Sequence, residues 1–396
     1  MTEKIYHRDA YCRELTSPVT GKESCQGRWR LRLERTIFRP EGGGQPADGG
    51  TINGLPLLAL EEDGDDIVHV VGNDPGDGDV ALRLDFERRF DHMQQHTAQH
   101  LLSQVLVRCC GAATLSFAIG PEHSSIETDR PCFSEEETRT VENECTRRIF
   151  AALPVRVFAS DDPSVLHLRK PAKIAGQIRV VEIAGLDQSA CGGTHVGNSA
   201  EIGVLKIVRT ERVRANVRLV YAAGWRALRD HQLKHELAQQ LQRLVTQPLA
   251  EIPGHVEALL RERDGLRREV KKALRREMER EVAAAVAAGD SLVVREFSGL
   301  DPSDLRFFAT SLMKHGRHVL AFQRPPPALE PSGGGAYVVV GRGRGGVDLR
   351  GICARLFAIL NGKGGGSANL IEGRGRDFSR SAEAIELLRE ALDNGP

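Results

Sequence analysis

Between Thr2 and about Arg89, apolar and polar residues alternate in short runs separated by turn formers. The segments RWRLRLERTIF (Arg28 to Phe38), IVHVV (Ile67 to Val71) and VALRLDF (Val80 to Phe86) each read as half-buried strands. The tract from Pro40 to Gly50 holds five glycines and two prolines, so its backbone is expected to visit conformations that side chains disfavour. Residues 1–90 are therefore expected to form a small antiparallel β-barrel.

The period changes at Asp91. DHMQQHTAQHLLSQVLVRCC predicts a helix that stops at Gly111. SEEETRTVENECTRRIFAAL predicts a second one, with Ser134 as its N-cap and acidic residues in the first turn. Strand-like runs surround them near Leu115 to Ile119 and Ser124 to Thr128, in VRVFA and IRVVEI, and in VLKIVRTERVRANVRLVYAAG. Residues 91–224 thus read as an α/β sandwich in which one antiparallel sheet carries both helices on one face.

Residues 225–289 are expected to form a helical linker with breaks at Pro248, Pro253 and Gly254. Leu233, Leu237, Leu241 and Leu244 make a stripe at three- and four-residue spacing, expected to be an intramolecular packing face, with a homodimer seam as the alternative to a monomer. From residue 290 to 396 strand and helix patterns alternate again, with a polar loop at NGKGGG, which indicates an α/β domain. The fold class is α+β.

Composition narrows the function classes. In 396 residues, 54 Lys+Arg balance 54 Asp+Glu, which argues against a simple polycation coating nucleic acid. No run approaches the roughly 18 apolar residues of a membrane span, and MTEKIYHRDAYC lacks a signal-peptide core, so no membrane and a cytoplasmic location are expected. Eight scattered cysteines suit a reducing compartment.

Candidate chemistry lies in two pairs. His96 and His100 stand four apart on a predicted helix, which places both imidazoles on one face. A metalloprotease would need Glu after the first His, and Thr97 stands there. About ninety residues on, Cys191-Gly-Gly-Thr-His195 offers two more donors on a loop whose glycines permit a tight turn. Three His and one Cys suit Zn²⁺. His92 continues the spacing and is placed outside the ligand set.

GGGQPADGG, HMQQHTAQHLLS and CGGTH resemble the editing domain of alanyl-tRNA synthetase and its free-standing AlaX relatives, and AYVVVG, VDLRGICARLFAIL and NGKGGGSANLIEG are similar to the C-terminal DHHA1-type domain of those synthetases. The resemblance spans nearly the whole chain, as in the long AlaX form. It implies hydrolysis of the ester joining a wrong amino acid, chiefly serine with glycine second, to the tRNA for alanine. It also implies His96, His100, Cys191 and His195 as zinc ligands. A class II aminoacylation domain would have to precede the barrel, and Met1 stands almost at the barrel's edge, so neither tRNA charging nor ATP use is expected.

Four protein ligands would close the zinc tetrahedron, whereas catalytic zinc keeps a position open. Either Cys191 is loosely held and zinc activates water, or zinc orients the substrate and other groups activate water. The second is favoured, because water activated beside an unselected ester would threaten correctly charged tRNA. A pocket that removes serine and spares the smaller alanine must read the hydroxyl. Thr36 and Gln45 are the candidates, since the resemblance places a threonine and the glycine loop at the pocket. The runner-up function is a non-catalytic tRNA-binding module with a structural zinc.

Gly341-x-Gly343-x-x-Gly346 matches a dinucleotide fingerprint, but the acidic residue expected beyond it is missing, and Arg342 and Arg344 suit RNA contact better. Lys363 in the terminal loop could hold phosphate, and Arg209, Arg212 and Arg214 form a basic run with Lys206 and Arg218 that could guide the acceptor end.

Overall fold

The computed structural model describes residues 1–161, 166–169, 177–298, 301–324, 336–343 and 348–393. Two compact units account for it, Met1–Leu244 and Val245–Pro396.

The first unit opens with a closed six-stranded barrel, in the order Glu14–Cys25, Arg28–Leu33, Asp66–Val71, Leu55–Asp63, Gly50–Ile52 and Asp79–Leu84. Alternation does what the pattern predicts in Arg28–Leu33 and Asp79–Leu84, where Leu31, Leu33, Val80, Leu82 and Leu84 point into one core and the residues between them are exposed or half-buried, whereas Asp66–Val71, expected to be half-buried, is buried on both faces. The glycine tract leaves the barrel and lies on the strand Thr114–Ile119. Gly44, at φ +79°, accepts the Ile119 N–H at 2.8 Å, and a Cβ there would stand 2.6 Å from the Phe117 carbonyl oxygen. Only glycine permits both that dihedral and that approach.

Helix α1 (Phe86–Cys110) starts five residues before the predicted Asp91. Asp85 caps it by accepting the Arg88 N–H, and Gly111 ends it in the left-handed conformation. Helix α2 (Glu135–Phe150) carries a full capping box between Ser134 and Glu137. Both helices share a core with the strands around them, built on Leu101, Leu102, Val105, Val141, Ile149 and Tyr221. The strands form two sheets where the pattern predicts one. Four strands run in the order Leu205–Val213, Asn216–Ala223, Ser124–Thr128 and Thr114–Ile119, and three run Val155–Ser160, Ile178–Ile183 and Asp187–Ala190. The stretch between Ala190 and Leu205 folds as a loop and a short 3₁₀ turn, Ser199–Ile202, so no ladder continues across it.

Helix α3 (Gly224–Val245) departs from expectation. Its buried residues are Gly224, Arg226 and Ala227, so it leaves the unit's core after its first turn, and Leu233, Leu237, Leu241 and Leu244 are exposed instead of packed. In the second unit, α4 (Ile252–Ala288) takes Pro253 and Gly254 into its first turn, where a missing N–H costs no helical hydrogen bond. A five-stranded mixed sheet follows, in the order Leu292–Ser298, His318–Arg324, Ala336–Gly341, Leu370–Gly375 and Lys363–Gly366. Met278, Val282 and Ala285 of α4 join α5 (Pro302–Lys314) on one face, and α6 (Arg350–Ile359) and α7 (Ser381–Asp393) cover the other. NGKGGG, expected as a loop, supplies the edge strand Lys363–Gly366.

Candidate metal centre

Helix α1 is buried along most of its polar middle, so each polar side chain there needs a partner. His96 and His100 present their rings 5.3 Å apart, and the loop after Ala190 brings Cys191 and His195 over them. One ligand atom from each of the four residues lies within 4.8 Å of the others. Cys191 Sγ stands 3.4 Å from His96 Nε2 and 3.3 Å from His195 Nε2. Neither Gly192 nor Gly193 adopts a positive φ, so the turn itself does not demand glycine. Gly193 is needed for room, because a Cβ there would fall 2.2 Å from His96 Cε1, while Gly192 has open space.

Each imidazole is held from behind. His96 Nδ1 donates to Gln45 Oε1 at 2.9 Å, and the Gln45 amide donates in turn to Thr194 Oγ1 at 2.8 Å. His100 Nδ1 donates to Asp187 Oδ2 at 3.0 Å. The Thr97 hydroxyl donates to the Met93 carbonyl, which leaves its oxygen to accept from His195 Nδ1 at 3.3 Å. With every Nδ1 used as a donor, three Nε2 lone pairs face the cysteine sulfur, the tautomer a metal ligand requires.

Charge follows the same logic. Burial pushes His195 down to about 3 and also lowers His96, which keeps both as neutral donors. Burial opposes protonation of His100 too, but the Asp187 carboxylate and the Cys191 sulfur together outweigh it and raise that imidazole's basicity. Burial likewise opposes ionisation of Cys191, yet His96, His195 and His100 together hold its thiol well below the ordinary range. Three imidazoles with Nε2 turned to the cysteine and a thiol favoured as thiolate form a donor set that fits a borderline-soft divalent ion such as Zn²⁺. His92 lies outside the cluster, with Nδ1 buried and unpartnered.

A cavity of about 580 Å³ opens beside the cluster. The barrel side contributes Tyr6, His7, Arg39 and Gly43, and the helix and sheet side His96, Gln99, Phe117 and Cys191. Arg39 braces the barrel wall by donating to the carbonyls of Pro40, Gly42 and Gln45. Arg179 donates to the Cys191 carbonyl at 2.6 Å and steadies the loop.

Of the residues singled out in the sequence, His96, His100, Cys191 and His195 come together, and Gln45 joins them through His96. Gln45 and Thr36 are fully buried, and neither lines the cavity. The Thr36 hydroxyl contacts His69 Nε2 at 2.8 Å and accepts the Phe38 N–H. Arg209, Arg212 and Arg214 are exposed on the hairpin Leu205–Ala223, with Arg209 paired to Glu211 and Arg214 at the turn. Arg342 meets Asn369, Lys363 is exposed on the edge strand, and Arg344 lies outside the described residues. The apparent dinucleotide glycines are spent on packing. A Cβ on Gly341 would meet Met313 Sδ at 2.5 Å, and one on Gly343 the Gly316 carbonyl oxygen at 2.3 Å. Gly346 is outside the described residues.

Asp187, Thr97, Tyr6 and His7 escape a reading of the sequence. Asp187 sits four residues before Cys191, a spacing that carries no periodic signal, and Tyr6 and His7 precede the first long strand in a segment with no pattern at all.

Comparison with known proteins agrees with this geometry. Residues 178–221, which include Cys191 and His195, match the family model described as the threonyl and alanyl tRNA synthetase second additional domain. The alanine–tRNA ligase of Pyrococcus abyssi is 29% identical across 99% of this chain, which spans 44% of that protein. The alanyl-tRNA editing protein AlaX-L of Pyrococcus horikoshii is 30% identical, covering 99% of this chain and 98% of its own. The alanyl-tRNA editing protein Aarsd1 of Danio rerio is 32% identical, covering 97% of this chain and 96% of its own. With such similarity running end to end in both partners, and the buried His/Cys cluster in place, the chain belongs to the family of alanyl-tRNA editing proteins.

Proposed function

We propose that this protein is a zinc-dependent deacylase that hydrolyses the ester between a wrong amino acid, chiefly serine and secondly glycine, and the tRNA for alanine. The observation that carries the reading is the three-histidine, one-cysteine cluster at the cavity wall, with every histidine Nδ1 donating to an outer acceptor. Zn²⁺ held by His96, His100, Cys191 and His195 would supply a fixed positive charge that orients the aminoacyl group and polarises its ester. The protein's own residues do the positioning. Gln45 fixes His96, Thr97 fixes His195 and Asp187 fixes His100, so Gln45 acts through a ligand instead of touching substrate. Arg209, Arg212, Arg214, Arg342, Arg344 and Lys363 are proposed to contact tRNA phosphates, the last three from the terminal domain of DHHA1 type.

A closed set of four protein donors is also what structural zinc sites have, which supports the second reading, a tRNA-binding module without catalysis. Two measurements separate them. Mass spectrometry of the purified protein is expected to find one zinc per chain. Incubation with mischarged seryl-tRNA for alanine is expected to release serine, and a chelator to stop it. Binding of that tRNA without release would leave the second reading standing, and absence of zinc would remove both.

A further inference from the structure

An ester on the terminal ribose of a tRNA brings a negative charge with it, because the 5′ phosphate of that nucleotide lies one sugar away. A cavity that holds the aminoacyl group at the His/Cys cluster therefore has to meet a phosphate as well, and phosphate contacts are what position a nucleic acid. Lys4, Arg39 and Arg169 are the lining residues that carry a fixed positive charge. Arg39 is spent, since its guanidinium donates to the carbonyls of Pro40, Gly42, Gln45 and Gly192. Lys4 sits on the barrel side, on the short strand paired with Arg35–Thr36, and that side also carries the carboxylates of Glu41 and Glu62, which repel a phosphate.

Arg169 stands on the sheet side and is held in place. Its Nε pairs with Asp187 Oδ1 at 3.0 Å, its Nη2 donates to Ser189 Oγ at 3.1 Å, and its backbone N–H donates to the Gln188 carbonyl at 2.9 Å. Asp187 is also the carboxylate that accepts from His100 Nδ1, so one hydrogen bond and one ion pair, each of 3.0 Å, connect the guanidinium to the cluster. Cluster and guanidinium are neighbours on one wall, as ester and phosphate are neighbours on one ribose. Asp187 and Ser189 occupy one edge of the fork, and among the described residues Nη1 has no partner. An arginine oriented on one edge by a carboxylate, with donors left over in a cavity wall, matches the oxygens of a phosphate.

We infer that Arg169 binds the 5′ phosphate of the substrate's terminal nucleotide and so sets the ester's position against the cluster. This rests on the deacylase reading above. Through Asp187, the phosphate site and His100 become parts of one hydrogen-bonded chain.

The test is binding of the serine amide of 3′-amino-3′-deoxyadenosine, with and without a 5′ phosphate, to the full-length zinc-loaded protein. The phosphorylated amide is expected to bind the wild type on the order of tenfold more tightly, and Arg169→Gln to bring that ratio close to one. Were Arg169 only the partner of Asp187, its loss would weaken both amides alike and leave the ratio unchanged. That result overturns the assignment, as does equal binding of the two amides by the wild type. Should Arg169→Gln not fold, a crystal of the wild type with the phosphorylated amide decides: a phosphate within hydrogen-bond reach of Arg169 supports the assignment, and one held elsewhere sinks it. Serine release plays no part in either readout, so a protein that releases none fails the deacylase reading while the ratio still decides on Arg169.

Discussion

Two glycine-rich stretches, Cys191-Gly-Gly-Thr-His195 and Lys363-Gly-Gly-Gly-Ser367, look alike as strings and serve different ends. In the first, the missing side chain of Gly193 leaves room for the His96 imidazole. In the second, Gly364 and its cross-strand partner Gly373 leave room for the Phe357 ring, and a Cβ on Gly364 would fall 2.0 Å from Phe357 Cε2. One glycine makes space for a donor atom, the other for a core aromatic. In each stretch a neighbouring glycine, Gly192 or Gly365, faces open space. The difference teaches that such a tract marks close approach, and that what approaches decides whether it belongs to a site or to a core.

The largest break in this comparison should come from Gly193→Ala. The added Cβ displaces His96, so zinc binding is expected to be lost and deacylation to fall by more than about 100-fold, the upper range for a disturbed ligand shell. Gly192→Ala should leave zinc content and rate near wild type, and an equal effect of the two would show that the loop needs flexibility and not space.

Gly364→Ala is the counterpart. The Phe357 ring is buried and cannot swing away, so the terminal unit is expected to lose about 3 kcal/mol, as in an overpacked core, with zinc content intact. Urea unfolding read alongside metal analysis checks this, and Gly365→Ala should stay within about 0.5 kcal/mol.

The histidines sharpen the contrast from another side. His69 is as buried as the ligands but sits inside the barrel with Thr36, and burial lowers it to about 4 from the usual 6.5. Between those values the unfolded chain binds a proton that the folded one refuses. Stability present above pH 6.5 is therefore lost as pH falls toward 4, by at most roughly 3 kcal/mol. Unfolding of the first unit at pH 7 and pH 5 should show the loss, and His69→Gln should reduce it; identical pH dependence in both proteins would refute the assignment. At the metal site a smaller effect than that of Gly193→Ala is expected from Gln45→Ala, which removes the acceptor behind His96 and should weaken zinc binding by about 10- to 100-fold, measured by chelator competition.

Much of the fold was legible because burial in this chain follows simple periods. Alternation located the barrel strands, and Ser134 with the acidic residues after it announced α2. The His-x-x-x-His spacing put two donors on one helix face without any tertiary information. The failures share a cause, which is that a pattern describes one element and not its neighbour. The leucines of α3 carry a helical stripe, yet the helix leaves its unit's core after one turn. NGKGGG reads as a loop because glycines lack side chains to alternate, yet backbone pairing with Leu370–Gly375 makes it a strand.

The sequence by itself determined the donors. Residue type and local spacing settle which side chains can bind a soft divalent ion, because coordination chemistry belongs to the side chain. Only the tertiary structure decided what those donors and their neighbours can do. It turned the three histidines by placing Gln45, Asp187 and Thr97 behind them, and drew Thr36 out of the cavity wall, where its hydroxyl contacts His69 instead. Hydrogen bonds act over about 3 Å, and residues as far apart in the chain as Gln45 and Thr194 reach that distance only when the whole unit has folded.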